Sequence, residues 1–200
     1  RWENISPHLK NAVLTAEDDM FYLHDGVDWE STLIAMAKNW EKKRLAFGGS
    51  TITQQVSRNL YLSPSKNPLR KLKEYFIARR LERDLGKRRI FELYLNIAEW
   101  GKGIFGAEAA SRAYFGKPCS ELTPDEAIAM AVVLPNPRRW KPVGGSRYVE
   151  RNKRRILERM RASGFLPEEQ EEAVWEDAPD YTTTPGEIPF GAGTGTPADR

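Results

Sequence analysis

The chain has 200 residues, 40% of them apolar, with 31 basic against 28 acidic side chains and a net charge of +3. That length suits one large domain, or a domain with a small appended lobe, and leaves enough apolar material for a sizeable core. So mild a charge gives no reason to expect a nucleic-acid partner. One cysteine, Cys119, excludes an internal disulfide. The longest apolar run covers eight residues, 127–134, against the roughly 20 a membrane span needs. No signal peptide is visible. The abrupt start at Arg1-Trp2 leads us to expect a missing upstream segment. The basic residues cluster at 70–73, 79–89 and 147–161. Such clusters can hold phosphates or rest on anionic headgroups, although residues 151–161 read first as a solvated helix face.

The periodicity predicts a chain that is nearly all helix. Ser6-Pro7 reads as an N-cap with proline at the first helical position. Leu9, Val13, Ala16 and Met20 then recur at helical spacing, which places Glu17 near the end of that helix. Gly26 closes the segment. A second helix is predicted over 29–43, with Leu33, Met36, Ala37 and Trp40 on one side. Residues 46–49 read as a loop, and Ser50 as the cap of a helix reaching about Leu60. Asn67-Pro68 opens the next helix, Leu69, Leu72, Phe76 and Leu81 form its apolar side, and Gly86 closes it at C′. A helix over 88–98 buries Ile90, Leu93, Tyr94 and Ile97. After a turn at 103–106, residues 107–115 are helical. Thr123-Pro124-Asp125-Glu126 has the pattern of a capping box, and the small apolar helix behind it looks central. Pro135-Asn136-Pro137 breaks it. A basic helix over 146–163 follows, then a short acidic one from Pro167. A short hairpin is conceivable within 43–50 or 61–68. The domain is drawn as residues 1–176, with a flexible tail over 177–200, where threonine, proline and glycine dominate.

Three blocks carry candidate chemistry. The first is Glu17-Asp18-Asp19. Its simplest reading is three exposed helix charges, yet acids at a helix C-terminus oppose the dipole. Burial beside Phe21, Tyr22 and Leu23 would raise the Glu17 pKa and make it a usable general base. His24 reads as structural, bonded to backbone or to Asp28. With His8 the only other histidine, a zinc cluster is not expected.

The second block runs from Gly48 to Gln55. Its glycines let backbone approach a ligand. The hydroxyls of Ser50 and Thr51 and the amides of Gln54 and Gln55 can read sugar hydroxyls or phosphate oxygens. A glycine turn with an ordinary N-cap is the simpler alternative. The third block sets Arg58, Arg70, Lys71 and Lys73 around Glu74. Arg70 and Glu74 stand at i, i+4, so a surface salt bridge competes with a pyrophosphate clamp in which Glu74 orients a cation or a metal. A carboxylate block, a polar glycine loop and a basic block suggest an enzyme acting on a sugar phosphate.

These blocks, in this order, resemble the peptidoglycan glycosyltransferases, also called family 51 glycosyltransferases. The resemblance continues through Lys87-Arg88-Arg89-Ile90-Phe91-Glu92-Leu93-Tyr94-Leu95-Asn96. It extends to Gly103-Ile104-Phe105-Gly106 with Tyr114-Phe115-Gly116-Lys117, and to Glu126-Ala127 through Pro137. It spans about residues 11–160. No transpeptidase-like segment follows, so the monofunctional type is the better match. The resemblance implies a mainly α, lysozyme-like, two-lobed fold with a small membrane-facing lobe. It implies polymerisation of lipid II with inversion and release of undecaprenyl pyrophosphate, at the outer side of a bacterial cytoplasmic membrane. It implies Glu17 as the base and Glu74 as a second carboxylate near the donor pyrophosphate. Ser50, Thr51, Gln54 and Gln55 would line the donor groove, and Arg58, Lys71 and Lys73 would face phosphate. Mg²⁺ is the implied ion. Lipid-linked glycan, the membrane surface and cell-wall synthesis proteins are the implied partners.

Arg58 departs from the lysine many members carry, trading a point charge for a planar fork. Leu45-Ala46-Phe47 and Leu60-Tyr61-Leu62 are candidate membrane-dipping residues, or pack internally. Two other classes compete: a lysozyme-like lytic glycosidase using Glu17 as an acid, and a non-catalytic cell-wall scaffold.

Overall fold

The computed structural model describes residues 1–42, 49–63 and 67–166. Among these, eight α-helices carry the architecture: α1 (Pro7–Glu17), α2 (Trp29–Glu41), α3 (Ile52–Tyr61), α4 (Pro68–Asp84), α5 (Lys87–Ile97), α6 (Ala107–Phe115), α7 (Pro124–Val133) and α8 (Arg147–Ala162). The only strands among them, β1 (Glu99–Gly101) and β2 (Ile104–Phe105), pair antiparallel. The chain is therefore mainly helical, as its periodicity predicts. The acidic helix from Pro167, the boundary at residue 176 and the tail over 177–200 lie outside the described residues.

Local chemistry explains most helix starts. Ser6 Oγ accepts the His8 N–H and Pro7 fills the first turn of α1. Thr51 with Gln54, and Thr123 with Glu126, form reciprocal capping boxes for α3 and α7. The cap of α3 is thus Thr51 and not Ser50. Thr51 Oγ1 accepts the Gln54 N–H and donates to the Gly26 carbonyl at 2.7 Å, which locks it in that role. Asn67 caps α4 through the Leu69 N–H. Gly86 follows the C-cap Leu85, at the C′ position expected, but not in a left-handed conformation. Its φ of −71° is extended, and it starts α5.

Two expectations about segments are corrected. Helix α1 stops at Glu17, so Met20 leaves the helical stripe and lies exposed. Among the described residues the hairpin is at 99–105, between the end of the helix expected over 88–98 and the turn expected at 103–106, and not in the described parts of 43–50 or 61–68. Residues 43–48 and 64–66 lie outside the described ones.

Helix α7 is the centre of the core. Every residue from Ala127 to Val133 is buried, and the helix packs on both α1 and α8. Helix α3 packs on α4 and α5. An aromatic row of Trp2, Phe91 and Phe21, with centroids 5.8 and 5.6 Å apart, ties the N-terminus to α5 and to the segment after α1. Ile90 and Tyr94 are buried as expected, whereas Leu93 and Ile97 are only partly covered.

The apolar sides of α2 and α4 behave differently. Trp29, Leu33, Met36 and Trp40 on α2, and Leu69, Leu72 and Phe76 on α4, remain exposed; Trp40 is 88% accessible. A helix with an apolar stripe normally buries it. These two stripes form surface instead.

Gly106 precedes α6 with φ +86°, and a Cβ there would stand 2.8 Å from the Asn96 carbonyl oxygen. Gly103 has φ +76° but open space around it. Gly103→Ala should cost about 1 kcal/mol from backbone strain alone. Gly106→Ala should cost more, on the order of 2–4 kcal/mol, since strain and overlap combine. Urea unfolding of both variants checks the order; equal losses would show that the Asn96 contact yields freely.

Candidate active site

The acidic triplet separates into three roles. Glu17, the last residue of α1, points a carboxylate into a cleft and accepts the Gln55 Nε2–H at 2.8 Å. Burial raises its pKa above the ordinary carboxylate value. The Gln55 hydrogen bond and the Arg58 charge pull it down, and neighbouring Asp18 adds a smaller upward push. Asp18 is buried. It accepts the first N–H of α3, from Ile52, at 2.9 Å, and His24 Nε2–H at 3.0 Å. A carboxylate at a helix N-terminus is favoured by the dipole and by the unpaired amides there. Asp19 is exposed and pairs with Arg159 of α8 at 2.9 Å.

His24 is structural, as expected, but its acidic partner is Asp18 and not Asp28. Its Nδ1 accepts the Gly26 N–H at 3.1 Å, which assigns the ring proton to Nε2. Asp28 caps α2 through the Ser31 N–H.

The polar loop divides its work. Gly49 lets the chain pass against α2, where an added Cβ would stand 3.0 Å from the Thr32 Cα. Thr51 and Gln54 are buried in the capping box; Gln54 also contributes to an apolar groove. Ser50 and Gln55 reach the Glu17 cleft. Gln55 is set by Tyr94 of α5, whose hydroxyl donates to Gln55 Oε1 at 3.4 Å and so turns the amide nitrogen towards Glu17. Complete burial pushes the Tyr94 phenol well above its usual pKa, so it stays a donor.

In the third block Glu74 is buried, with Arg70 Nη1 at 3.2 Å and Lys71 Nζ at 2.5 Å on its two oxygens. Lys71 Nζ also donates to Ser50 Oγ at 3.0 Å, which links α4 to the polar loop. Arg58 lines the cleft with Glu17 and has no carboxylate ion pair among the described residues. Lys73 is exposed on α4 and lines neither the Glu17 cleft nor the apolar groove. No group of three or more His, Cys, Asp or Glu side chains suited to a metal occurs among the described residues. Of the two alternatives for Glu74, orienting a cation or a metal, its contacts with Arg70 and Lys71 match the first.

Two hollows meet at Ser50. The cleft around Glu17, of about 580 Å³, is polar and is walled on its α8 side by Tyr148, Asn152, Arg155 and Arg159. The groove between α2 and α4, of about 560 Å³, is lined by Val27, Trp29, Met36, Leu72 and Tyr75, with Lys71 at its polar edge. Asn152, Arg155 and Arg159 were missed in the sequence because the run 151–161 reads as a solvated face, and Tyr148 stands just before it. Their signal was spacing: 148, 152, 155 and 159 share one side of a helix.

Because the folded-state pKa of Glu17 is raised, the folded protein binds a proton that the unfolded chain has already released. Stability therefore falls as pH climbs from the ordinary value of 4.5 through the raised one, and remains lower above it. Glu17→Gln should be more stable than the parent at neutral pH, with the gap closing below pH 4.5. Asp18→Ala should lose about 1–3 kcal/mol, the cost of leaving buried donors unpaired. Denaturant unfolding at several pH values checks both.

The family model described as transglycosylase matches residues 1–161. The chain is 53% identical over 159 residues to a biosynthetic peptidoglycan transglycosylase of Aromatoleum aromaticum, covering 80% of this chain and 69% of that protein. It is 53% identical over 146 residues to one of an Azoarcus species, covering 73% and 63%. It is 46% identical over 170 residues to one of Nitrosospira multiformis, covering 84% and 74%. With the match running through Glu17, the polar loop, Glu74 and most of α8, this chain belongs to the transglycosylase family.

Proposed function

We propose that the chain polymerises lipid II into β-1,4-linked glycan. As a family member it is a peptidoglycan transglycosylase, a glycosyltransferase of cell-wall synthesis. The observation that carries the finer reading is the junction of a polar, carboxylate-bearing cleft with an apolar groove at Ser50. A substrate made of sugar, pyrophosphate and a long apolar chain fits such a junction.

In this reading Glu17 takes the proton from the acceptor's 4-hydroxyl, which attacks the anomeric carbon of the donor sugar. The lipid pyrophosphate leaves from the opposite face, and the configuration inverts. A raised pKa suits a base working near neutral pH. Negative charge grows on the departing pyrophosphate, so Arg58 and Lys71 stabilise the transition state more than the ground state. Glu74 holds Lys71 and Arg70 in place. The pyrophosphate brings the oxygen ligands that Mg²⁺ prefers, so dependence on the ion is a property of the substrate complex.

The exposed apolar stripes of α2 and α4, with Leu60 and Tyr61 at the end of α3, form the membrane-facing part of a lysozyme-like two-lobed fold. No helix among the described residues is long and apolar enough to cross a bilayer. A patch of this kind rests in the interface instead. Leu45-Ala46-Phe47 lie outside the described residues.

Labelled lipid II in detergent with Mg²⁺ tests the activity. The wild-type chain should make long glycan that lysozyme digests. Glu17→Gln should lose at least about 10²–10⁴-fold, the usual worth of a positioned base; near-parental rates in that variant would sink the assignment. Glu74→Gln should also lose orders of magnitude in rate. Cleavage of preformed glycan without polymerisation would favour the lytic reading. For the membrane patch, Trp40→Glu with Phe76→Glu should abolish sedimentation with phospholipid vesicles at unchanged thermal stability. Retained vesicle binding would assign membrane contact to another surface.

A further inference from the structure

Helix α8 holds an arrangement that the proposed chemistry does not use. Tyr148 stacks on Trp140 with ring centroids 4.2 Å apart and planes 9° from parallel. The Arg139 guanidinium lies over the Trp140 ring at 4.7 Å. Three flat groups are thus layered at the rim of the cleft, and Tyr148 lines that cleft together with Glu17. One turn further along α8, Asn152 Nδ2 donates to the Tyr148 carbonyl at 2.7 Å, and Asn152 also lines the cleft. Arg155, on the next turn, lines it too and carries no carboxylate ion pair among the described residues. Arg159 is tied to Asp19, so the end of this face is anchored to the segment that follows the catalytic carboxylate.

We propose that Tyr148, backed by Trp140 and flanked by Asn152 and Arg155, forms a sugar subsite for an N-acetylhexosamine unit of the glycan. The inference rests on the polymerase reading, and it names which wall of the cleft grips carbohydrate. A pyranose has one face of C–H bonds, which packs on an aromatic plane. Its rim of hydroxyl and acetamido groups needs donors and acceptors beside that plane. Tyr148 supplies the plane. Asn152 keeps its carbonyl oxygen for a hydroxyl or an acetamido N–H. The Arg155 fork donates to acetamido or lactyl oxygens. Layering against Trp140 and Arg139 holds the Tyr148 ring before ligand arrives, so little side-chain freedom is lost on binding. The phosphate-directed cations Arg58 and Lys71 come from α3 and α4, leaving the α8 wall for the sugar part of the substrate.

The test uses the full chain in its Glu17→Gln form, in which turnover is expected to be slowed. The probe is the β-1,4-linked N-acetylglucosamine tetramer, followed by saturation-transfer NMR and titration. Binding should be detected, should weaken about tenfold or more in Tyr148→Ala, and should be recovered in Tyr148→Phe, which keeps the ring. With Glu17 restored, Tyr148→Ala should make shorter glycan from lipid II than the parent. No tetramer binding, or equal binding in Tyr148→Ala, overturns the subsite. So does a Tyr148→Phe loss as large as that of Tyr148→Ala, because the ring would then not be the platform. Thermal melts of both variants separate a local loss from unfolding. Ring-dependent tetramer binding in a parent that makes no polymer would keep the subsite and discard the polymerase reading.

Discussion

The Asp18 carboxylate is the constraint around which the rest of the site is arranged. It sits just past the end of α1, and it closes the start of α3 by accepting the Ile52 N–H. It also receives His24, which in turn accepts the Gly26 N–H and fixes the turn leading to α2. Three segments far apart in the chain are thereby brought to one carboxylate. Glu17 is its immediate neighbour, so the same anchor sets the angle at which Glu17 meets Gln55. In a low-dielectric interior an ionised acid needs every available donor. Asp18 has them, and Glu17 has fewer. That difference makes Asp18 an anchor between segments and leaves Glu17 facing the cleft.

The site stores a cost of the kind functional sites often carry. Glu17 is placed where burial disfavours its charge, and the Gln55 amide and the Arg58 charge offset only part of that. Tyr94 adds support from behind by orienting Gln55. A chain selected for stability alone would place an apolar residue at position 17. The exposed apolar sides of α2 and α4 are a second concession. They forgo burial, which for each large side chain is worth about 1.5–3 kcal/mol. Both concessions lie beside the hollows that meet at Ser50, where the proposed substrate would place its polar and apolar parts.

Much of this was legible in order along the chain. Helix starts at Ser6-Pro7, Asn67-Pro68 and Thr123 follow from hydrogen-bonding chemistry within four residues, and they stand where expected. The central burial of α7 follows from its small apolar composition. The motif blocks pointed to Glu17, Gln55, Arg58 and Glu74, three of which share one cleft or its support. Three things were not legible. The partner of His24 was misread because Asp28, four residues away, is nearer in sequence than Asp18, which folding brings to the ring from six residues away. The cap of α3 was misplaced by one residue because serine is locally the better cap, whereas a long-range bond to the Gly26 carbonyl fixes Thr51 there. Arg155 looked like a solvent-facing position on a basic helix.

What the sequence determined by itself was therefore everything that depends on neighbours in the chain: helix periodicity, caps, breaks, and the kinds of functional group available in each block. The tertiary structure alone decided how those groups divide into roles. Three adjacent acids became a carboxylate in a cleft, a helix anchor and a surface ion pair, because each met a different long-range partner: Gln55, Ile52 or Arg159. The apolar stripes of α2 and α4 became surface for the same kind of reason. Periodicity states that a stripe exists, but only packing decides whether another element covers it.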